Sequence, residues 1–231
     1  MSDANTIHPT AVVDDNAKLG QGNYIGPFCI IGPNVEIGDN NRFEANVCIG
    51  TAAEHRDFFH AEPGKVKIGN NNVLREFVTV NGGTEEVTTL MNDVVMLRGS
   101  HIGHDAVIGN KVNLSCNVMV GGHTIIDEFA NLGLSSTVHQ HRVIGAFAMI
   151  GMNSTVTRSI LPFTISFGSP AESHKINKIG LTRFGLSVEE VSQIDDWFFN
   201  VKGQEQAEPS LLGTEFDKYI KYYNSMKKKY S

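Results

Sequence analysis

The chain has 231 residues, 41% of them hydrophobic and 19% charged, with a formal net charge of −6. That length suits one substantial core with a small appendage, and the acidic balance argues against a surface given over to nucleic acid, so any anionic partner has to meet a local site. Three scattered cysteines, Cys29, Cys48 and Cys116, form neither a disulfide framework nor a Cys-x-x-Cys metal site and fit a reducing, cytoplasmic setting. No apolar run approaches the roughly 18 residues of a membrane span, and the opening MSDANTIHPTAVV lacks the basic and apolar regions of a signal peptide, so a soluble, unprocessed protein is expected.

From Ile7 onward a bulky apolar residue recurs at every sixth position, through Val13, Leu19, Ile25, Ile31, Ile37 and Phe43 to Ile49. The period breaks over residues 52–65, resumes at Ile68, Leu74 and Val80, and breaks again over residues 82–89; both breaks read as loops. It then runs unbroken from Leu90 to Val156, and a glycine often follows the repeated residue, as in Ile25-Gly26 and Ile102-Gly103. A period of six matches neither a helix nor a half-buried strand. It matches a triangular coil of three short strands and three corners, in which three hexapeptides close one turn. Each repeated aliphatic residue then points inward and stacks on its counterpart one coil later, while the glycine beside it is expected to help the chain round the corner. About eight coils are implied, spanning residues 1–161.

After Val156 the period stops, and Pro162 and Pro170 punctuate a connecting segment. Ser187-x-x-Glu190 forms a capping box, so a helix is expected to begin there. Val188, Val191, Ile194, Phe198 and Val201 fall on one face, and after a turn-rich break from Gly203 to Gly213 the same spacing returns in Phe216, Tyr219, Ile220, Tyr223 and Met226. Residues 162–231 therefore read as a connector and a small helical domain. Flat prism faces and open ends invite oligomerisation or capping by these helices.

Of nine histidines, His101, His104, His123 and His139 lie in the unbroken repeat. His123 follows His104 by one coil plus one position, and His139 follows it by two coils less one, so the three land on neighbouring rungs of one edge or face. Two chemistries want clustered imidazoles. Zinc needs three or four of them converging at about 2.0–2.1 Å, but the one His-x4-His pair, His55 and His60, lies in the first loop. Acid/base catalysis needs an imidazole beside a carboxylate. His104-Asp105 supplies both, although adjacent strand residues point to opposite faces and contact requires a corner. A third reading is that the histidines stack only because everything in such a coil stacks.

The block Ser100-His101-Ile102-Gly103-His104-Asp105, with Gly121-Gly122-His123, Val138-His139-Gln140 and Gly180-Leu181-Thr182-Arg183-Phe184-Gly185, resembles the UDP-N-acetylglucosamine acyltransferases that begin lipid A synthesis. The resemblance implies a left-handed parallel β-helix with a small C-terminal helical domain, assembled as a homotrimer with active sites between prisms. It implies His104 as the general base for a sugar hydroxyl, Asp105 as the acid that polarises it, and the Gly122 amide as the oxyanion donor. His101, His123, His139 and Gln140 match substrate contacts, Asn177 and Arg183 match nucleotide contacts, and the donor is a 3-hydroxyacyl group on acyl carrier protein. Arg158, Lys175 and Lys178 are candidates for meeting that acidic carrier. Met152 falls where the family sets acyl length, a glycine opening the groove and a methionine closing it; the plain alternative is a gap-filling methionine. No metal, cofactor or nucleic acid is implied. An acetyl-CoA-dependent sugar acetyltransferase and a non-catalytic scaffold remain as alternatives.

The chain also departs from the family. Glu54-His55-Arg56-Asp57-Phe58 stands near an expected Gln-Asp-Leu-Lys, Asn81-Gly82-Gly83-Thr84 stands for His-Arg-Gly-Thr, Ile179 replaces an acidic residue and Phe184 the second of two arginines. These differences leave the acceptor sugar, and the choice of oxygen or nitrogen, open.

Overall fold

The computed structural model describes residues 4–201 and 216–229. Three sheets of ten, eight and seven strands form the faces of a triangular prism. Within each face a strand pairs with the one a full turn further along the chain, as in Tyr24 with Arg42, Ile30 with Cys48 and Val107 with Ile125. Across the two breaks the partner lies further on, Val35 pairing with Val66 and Thr79 with His101, so the breaks are insertions that leave the inward register intact. The first holds a single 3-10 turn at Arg56–Phe58. The second is shorter than expected, because Thr88–Leu90 is already a strand. Nine of the ten strands in the longest sheet run parallel, giving nine coils where the repeat implies about eight.

From Ile25 to Val156 every repeated apolar residue is buried in one continuous core, each contributing on the order of 2 kcal/mol of apolar burial. Ile7 stays exposed and Val13 and Leu19 only partly covered, because nothing among the described residues closes that end. A buried file of asparagines runs beside the aliphatic columns in the early coils. The Asn23 carboxamide accepts from the Asn41 amide, Asn41 accepts from Asn72, and Asn72 accepts from the backbone of Val94.

The corners turn differently from expectation. Apart from Gly50, at the start of the first insertion, the left-handed residue is not the glycine beside the aliphatic but the third residue after the aliphatic, with φ of 59° at Asp105, 56° at His123 and 57° at His141. The adjacent glycines are required by stacking instead: a Cβ on Gly121 would lie 2.7 Å from the Gln140 amide nitrogen of the next coil.

The segment after Val156 is more ordered than a connector. Thr164–Gly168 adds to the long sheet beside Met149–Ile150, and Ala171–Ile176 folds back antiparallel through a turn containing cis-Pro170. Three helices follow, α1 (Lys178–Phe184), α2 (Val188–Val201) and α3 (Asp217–Lys229). The capping box forms as read, with Ser187 and Glu190 each accepting from the other's amide at 3.2 and 2.7 Å. Val191, Ile194 and Phe198 are buried, but Val188, in the first turn, is 82% exposed, and the buried aromatic of α2 that the spacing misses is Trp197. The break from Gly203 to Gly213 lies outside the described residues. Phe216, Tyr219, Ile220 and Tyr223 are buried, and α3 lies along the seven-stranded face with Tyr223 against Ile125 and Val143. No helix among the described residues is long and apolar enough to cross a membrane.

Where α3 meets the prism a groove of about 450 Å³ is lined by Val107, Asp127, Glu128, Lys218, Tyr219 and Tyr222. Asp127 Oδ2 is buried there without a hydrogen-bond partner among the described residues. Burial, with the Glu128 charge beside it, pushes the carboxyl up to about 6. A carboxyl raised on folding costs nothing below its unfolded value and destabilises as pH rises through its folded one. Asp127→Asn is therefore expected to raise stability by about 1 kcal/mol at pH 8, after allowance for solvent in the groove. The gain should vanish near pH 4, as thermal melts at the two pH values will report.

Candidate active site

The corner between the eight- and seven-stranded faces collects the chemistry. Successive coils place His104, Gly122 and Gln140 at its second position and Asp105, His123 and His141 at its third, the backbone tied by His123 N–H to the His104 carbonyl and His141 N–H to the Gly122 carbonyl. The contact that strand alternation argues against is made, because the left-handed Asp105 swings its side chain back beside its neighbour. His104 Nδ1 lies 2.7 Å from Asp105 Oδ2. An ionised carboxylate only accepts, so Nδ1 carries the proton and Nε2 is the basic nitrogen.

Asp105 is fully buried, and the second insertion wraps its carboxylate. Oδ1 accepts from the amides of Thr84, Glu85 and Glu86 at 2.8, 3.1 and 2.7 Å, and Oδ2 from the Thr84 hydroxyl at 2.6 Å. Burial works against the charge, but the Thr84 hydroxyl, His104 and these amides outweigh it and hold the carboxyl well below the usual range. Lys229, at the end of α3, pairs with Glu86 at 2.8 Å and ties the helix to this loop.

Gly122 faces the imidazole. A Cβ there would lie 2.7 Å from both His104 Cε1 and Nε2. The amides of Gly121 and His123 donate to the Val138 and His104 carbonyls, whereas the Gly122 N–H has no acceptor among the described residues.

The imidazoles form a column that the spacing only partly foresees. His104 meets His123 edge-on at 5.1 Å between centroids, His123 stacks on His141 at 4.5 Å, and His55, from the first insertion, meets His104 edge-on at 5.9 Å. His139 does not join the column; it is exposed, its Nδ1 3.1 Å from the Gln140 carbonyl oxygen. The missed partner, His141, stands one full coil after His123, at the same spacing that places the aliphatic residues. His101 lies on the adjoining strand, 2.8 Å from the Thr79 hydroxyl, and burial holds it below the ordinary imidazole value against the opposing charge of Glu54. Asn81 is buried and its amide donates to Thr51 Oγ1 and the Ala52 carbonyl, anchoring the start of the first insertion.

The other candidates sit elsewhere on the prism. Asn177 caps α1, accepting from Gly180 N–H at 3.1 Å and donating to the Phe147 carbonyl at 3.0 Å, so both ends of its carboxamide serve the fold. Arg183 is exposed on α1, beside Phe184, whose ring packs against Phe129 and Phe147 at 4.5 and 4.9 Å. Those phenylalanines mark the next corner, after the seven-stranded face. Met152 occupies the third corner, 67% exposed. Of the basic candidates, Lys178 is engaged by Asp195 at 2.6 Å.

His104, Asp105 and His123 are the one group among the described residues that brings three ligand-type atoms within 4.8 Å of one another. Their donor set fits a metal poorly, because Asp105 already accepts four hydrogen bonds from the Thr84 loop besides the His104 proton. The arrangement is that of a carboxylate-oriented imidazole.

Stacked hexapeptides closed into a three-sided prism, with an imidazole held by a buried carboxylate at one corner, are what a hexapeptide-repeat transferase would present. Residues 16–51 match the family model for bacterial transferase hexapeptide (six repeats). Over 209 residues, 81% of this chain and 79% of the relative, the chain is 39% identical to acyl-(acyl-carrier-protein)-UDP-N-acetylglucosamine O-acyltransferase of Paraburkholderia phytofirmans. Among solved structures, LpxA from Acinetobacter baumannii superposes with a TM-score of 0.83 at 25% identity, covering 96% of both chains. LpxA of Bacteroides fragilis, a UDP-N-acetylglucosamine acyltransferase, gives 0.80 at 29% identity, covering 93% of this chain and 95% of that one. The chain belongs to the UDP-N-acetylglucosamine O-acyltransferase family.

Proposed function

We propose that this chain moves a 3-hydroxyacyl group from an acyl carrier protein thioester to the 3-hydroxyl of UDP-N-acetylglucosamine or a closely related nucleotide amino sugar, in the cytoplasm, as a step of lipid A synthesis. The observation that carries the reading is His104, its Nδ1 proton directed at Asp105 Oδ2 over 2.7 Å and its Nε2 edge turned to Gly122. As the sugar oxygen attacks the thioester carbon, Nε2 takes its proton; the new C–O bond leaves negative charge on the carbonyl oxygen, which the Gly122 amide receives. Collapse breaks the C–S bond, and the imidazolium returns the proton to the departing thiolate. Asp105 holds the tautomer and stabilises the transient imidazolium. His101 and His123 flank His104, and His139 and Gln140 stand two coils further along the same corner as candidate substrate contacts.

Asn177 and Arg183 lie past the next corner of the prism. One nucleotide sugar reaches both the imidazole and the Arg183 guanidinium, whose planar fork suits a phosphate, if the two come from neighbouring copies. A homotrimer with shared clefts would supply that pairing. Met152 then projects into the cleft as the end-stop for the acyl chain.

The test is product mass spectrometry after incubating the chain with UDP-N-acetylglucosamine and either 3-hydroxyacyl carrier proteins of graded length or acetyl-CoA. A base-labile hydroxyacyl ester is expected; turnover with acetyl-CoA alone, or with no thioester, overturns the reading. Met152→Gly should shift the preferred chain longer by at least roughly tenfold in relative rate, the low end of what one methylene is worth in an apolar groove. An unchanged length profile would refute the end-stop.

A further inference from the structure

His141 has no part in the transfer as described, yet it is joined to it through one ring. Its imidazole stacks on that of His123 at 4.5 Å with the planes 12° apart. His123 in turn stands perpendicular to His104 at 5.1 Å and brings Nε2 to 3.4 Å from Asp105 Oδ2, the same oxygen that holds His104 Nδ1 at 2.7 Å and the Thr84 hydroxyl at 2.6 Å. A carboxylate oxygen has about two lone-pair directions, so three approaches to Oδ2 compete. Any rotation that brings His123 closer loosens the grip on His104. His123 is half-buried at the corner, with one face of its ring covered by His141.

We propose that His141 is a positioning residue: by holding the ring plane of His123 it fixes how Asp105 Oδ2 is divided between His123 and the catalytic His104. The proposal rests on the catalytic reading given above. The titratable and charged groups facing His141 include His123 and His104 from preceding coils and His139 and Arg142 from its own. Burial first, then these groups, hold it below the ordinary imidazole value, which favours the flat neutral ring. A phenyl ring can supply the same stacking surface, and a methyl cannot.

The experiment compares full-length wild type, His141→Ala and His141→Phe in steady-state kinetics across pH. His141→Ala should lose about tenfold in kcat, the scale of coupling between contacting groups, with KM for both substrates nearly unchanged and the acid limb of the kcat profile displaced. His141→Phe should restore both kcat and profile. Wild-type kcat and profile in His141→Ala overturns the proposal, as does a change confined to KM, or a phenylalanine variant as impaired as the alanine one. Nitrogen-15 NMR of the imidazoles gives a readout independent of turnover: His141→Ala should move the His104 and His123 ring resonances and His141→Phe should not. If wild type turns over no thioester, the catalytic reading fails and the NMR comparison alone decides this one. Should His141→Ala fold poorly, His141→Leu replaces it, apolar and still unable to stack flat.

Discussion

His104→Ala should lower kcat by about a thousandfold, within the range for loss of a positioned general base, while the protein melts within a few degrees of wild type. The imidazole lies at a corner, largely buried but outside the aliphatic core, so its removal takes away the proton acceptor without opening the prism. Full activity in a folded variant would remove the central assignment. The same variant examines the shared cleft. Co-expressed with Arg183→Ala, which retains the base, it should form mixed assemblies in which some clefts draw both groups from unmutated surfaces, recovering part of the activity that neither variant shows alone.

Gly122→Ala should cost about a hundredfold in kcat, the scale of a misplacement of about 1 Å at a reacting group, with little loss of stability. The backbone at Gly122 is not in the left-handed region, so alanine is conformationally permitted there. The new methyl would come within 2.7 Å of His104 Cε1 and Nε2. It therefore occupies the place of the attacking hydroxyl or turns the ring off Asp105, while the amide proposed as oxyanion donor remains. Near-wild-type turnover would mean that the acceptor approaches His104 from another side.

The aliphatic columns are legible in the sequence because a six-residue period is imposed by packing alone, residue after residue, and two insertions do not disguise it. The grouping of His104, Asp105 and Gly122 becomes legible once the His-Asp pair and the two following coils are compared with a family pattern. What stays hidden follows from local backbone. Alternation along a strand predicts opposite faces for His104 and Asp105, and only the positive φ of Asp105 overrides it. The role of glycine in the corners is misassigned for the same reason. His141 lies within reach of the period, but the family pattern points to His139, which sits two positions too early to join the column. His55 cannot be placed from sequence, since no period governs an insertion. The hairpin at Thr164–Ile176 is obscured because the repeat ends before it and its proline reads as punctuation.

The asparagine file has a consequence for how such a chain finds its partners. A ladder of interchangeable aliphatic residues tolerates misalignment by a whole turn, since leucine on isoleucine is nearly as good as isoleucine on isoleucine. Asn23, Asn41 and Asn72 are not interchangeable with the valines and alanines that take over at Val94, Val112 and Ala130. Sliding one turn would leave a dehydrated carboxamide facing a hydrocarbon, at a cost of about 1–3 kcal/mol for each orphaned group. The file thus works as an index mark that distinguishes otherwise degenerate windings, and it runs along the corner between the seven- and ten-stranded faces, not the corner that holds His104.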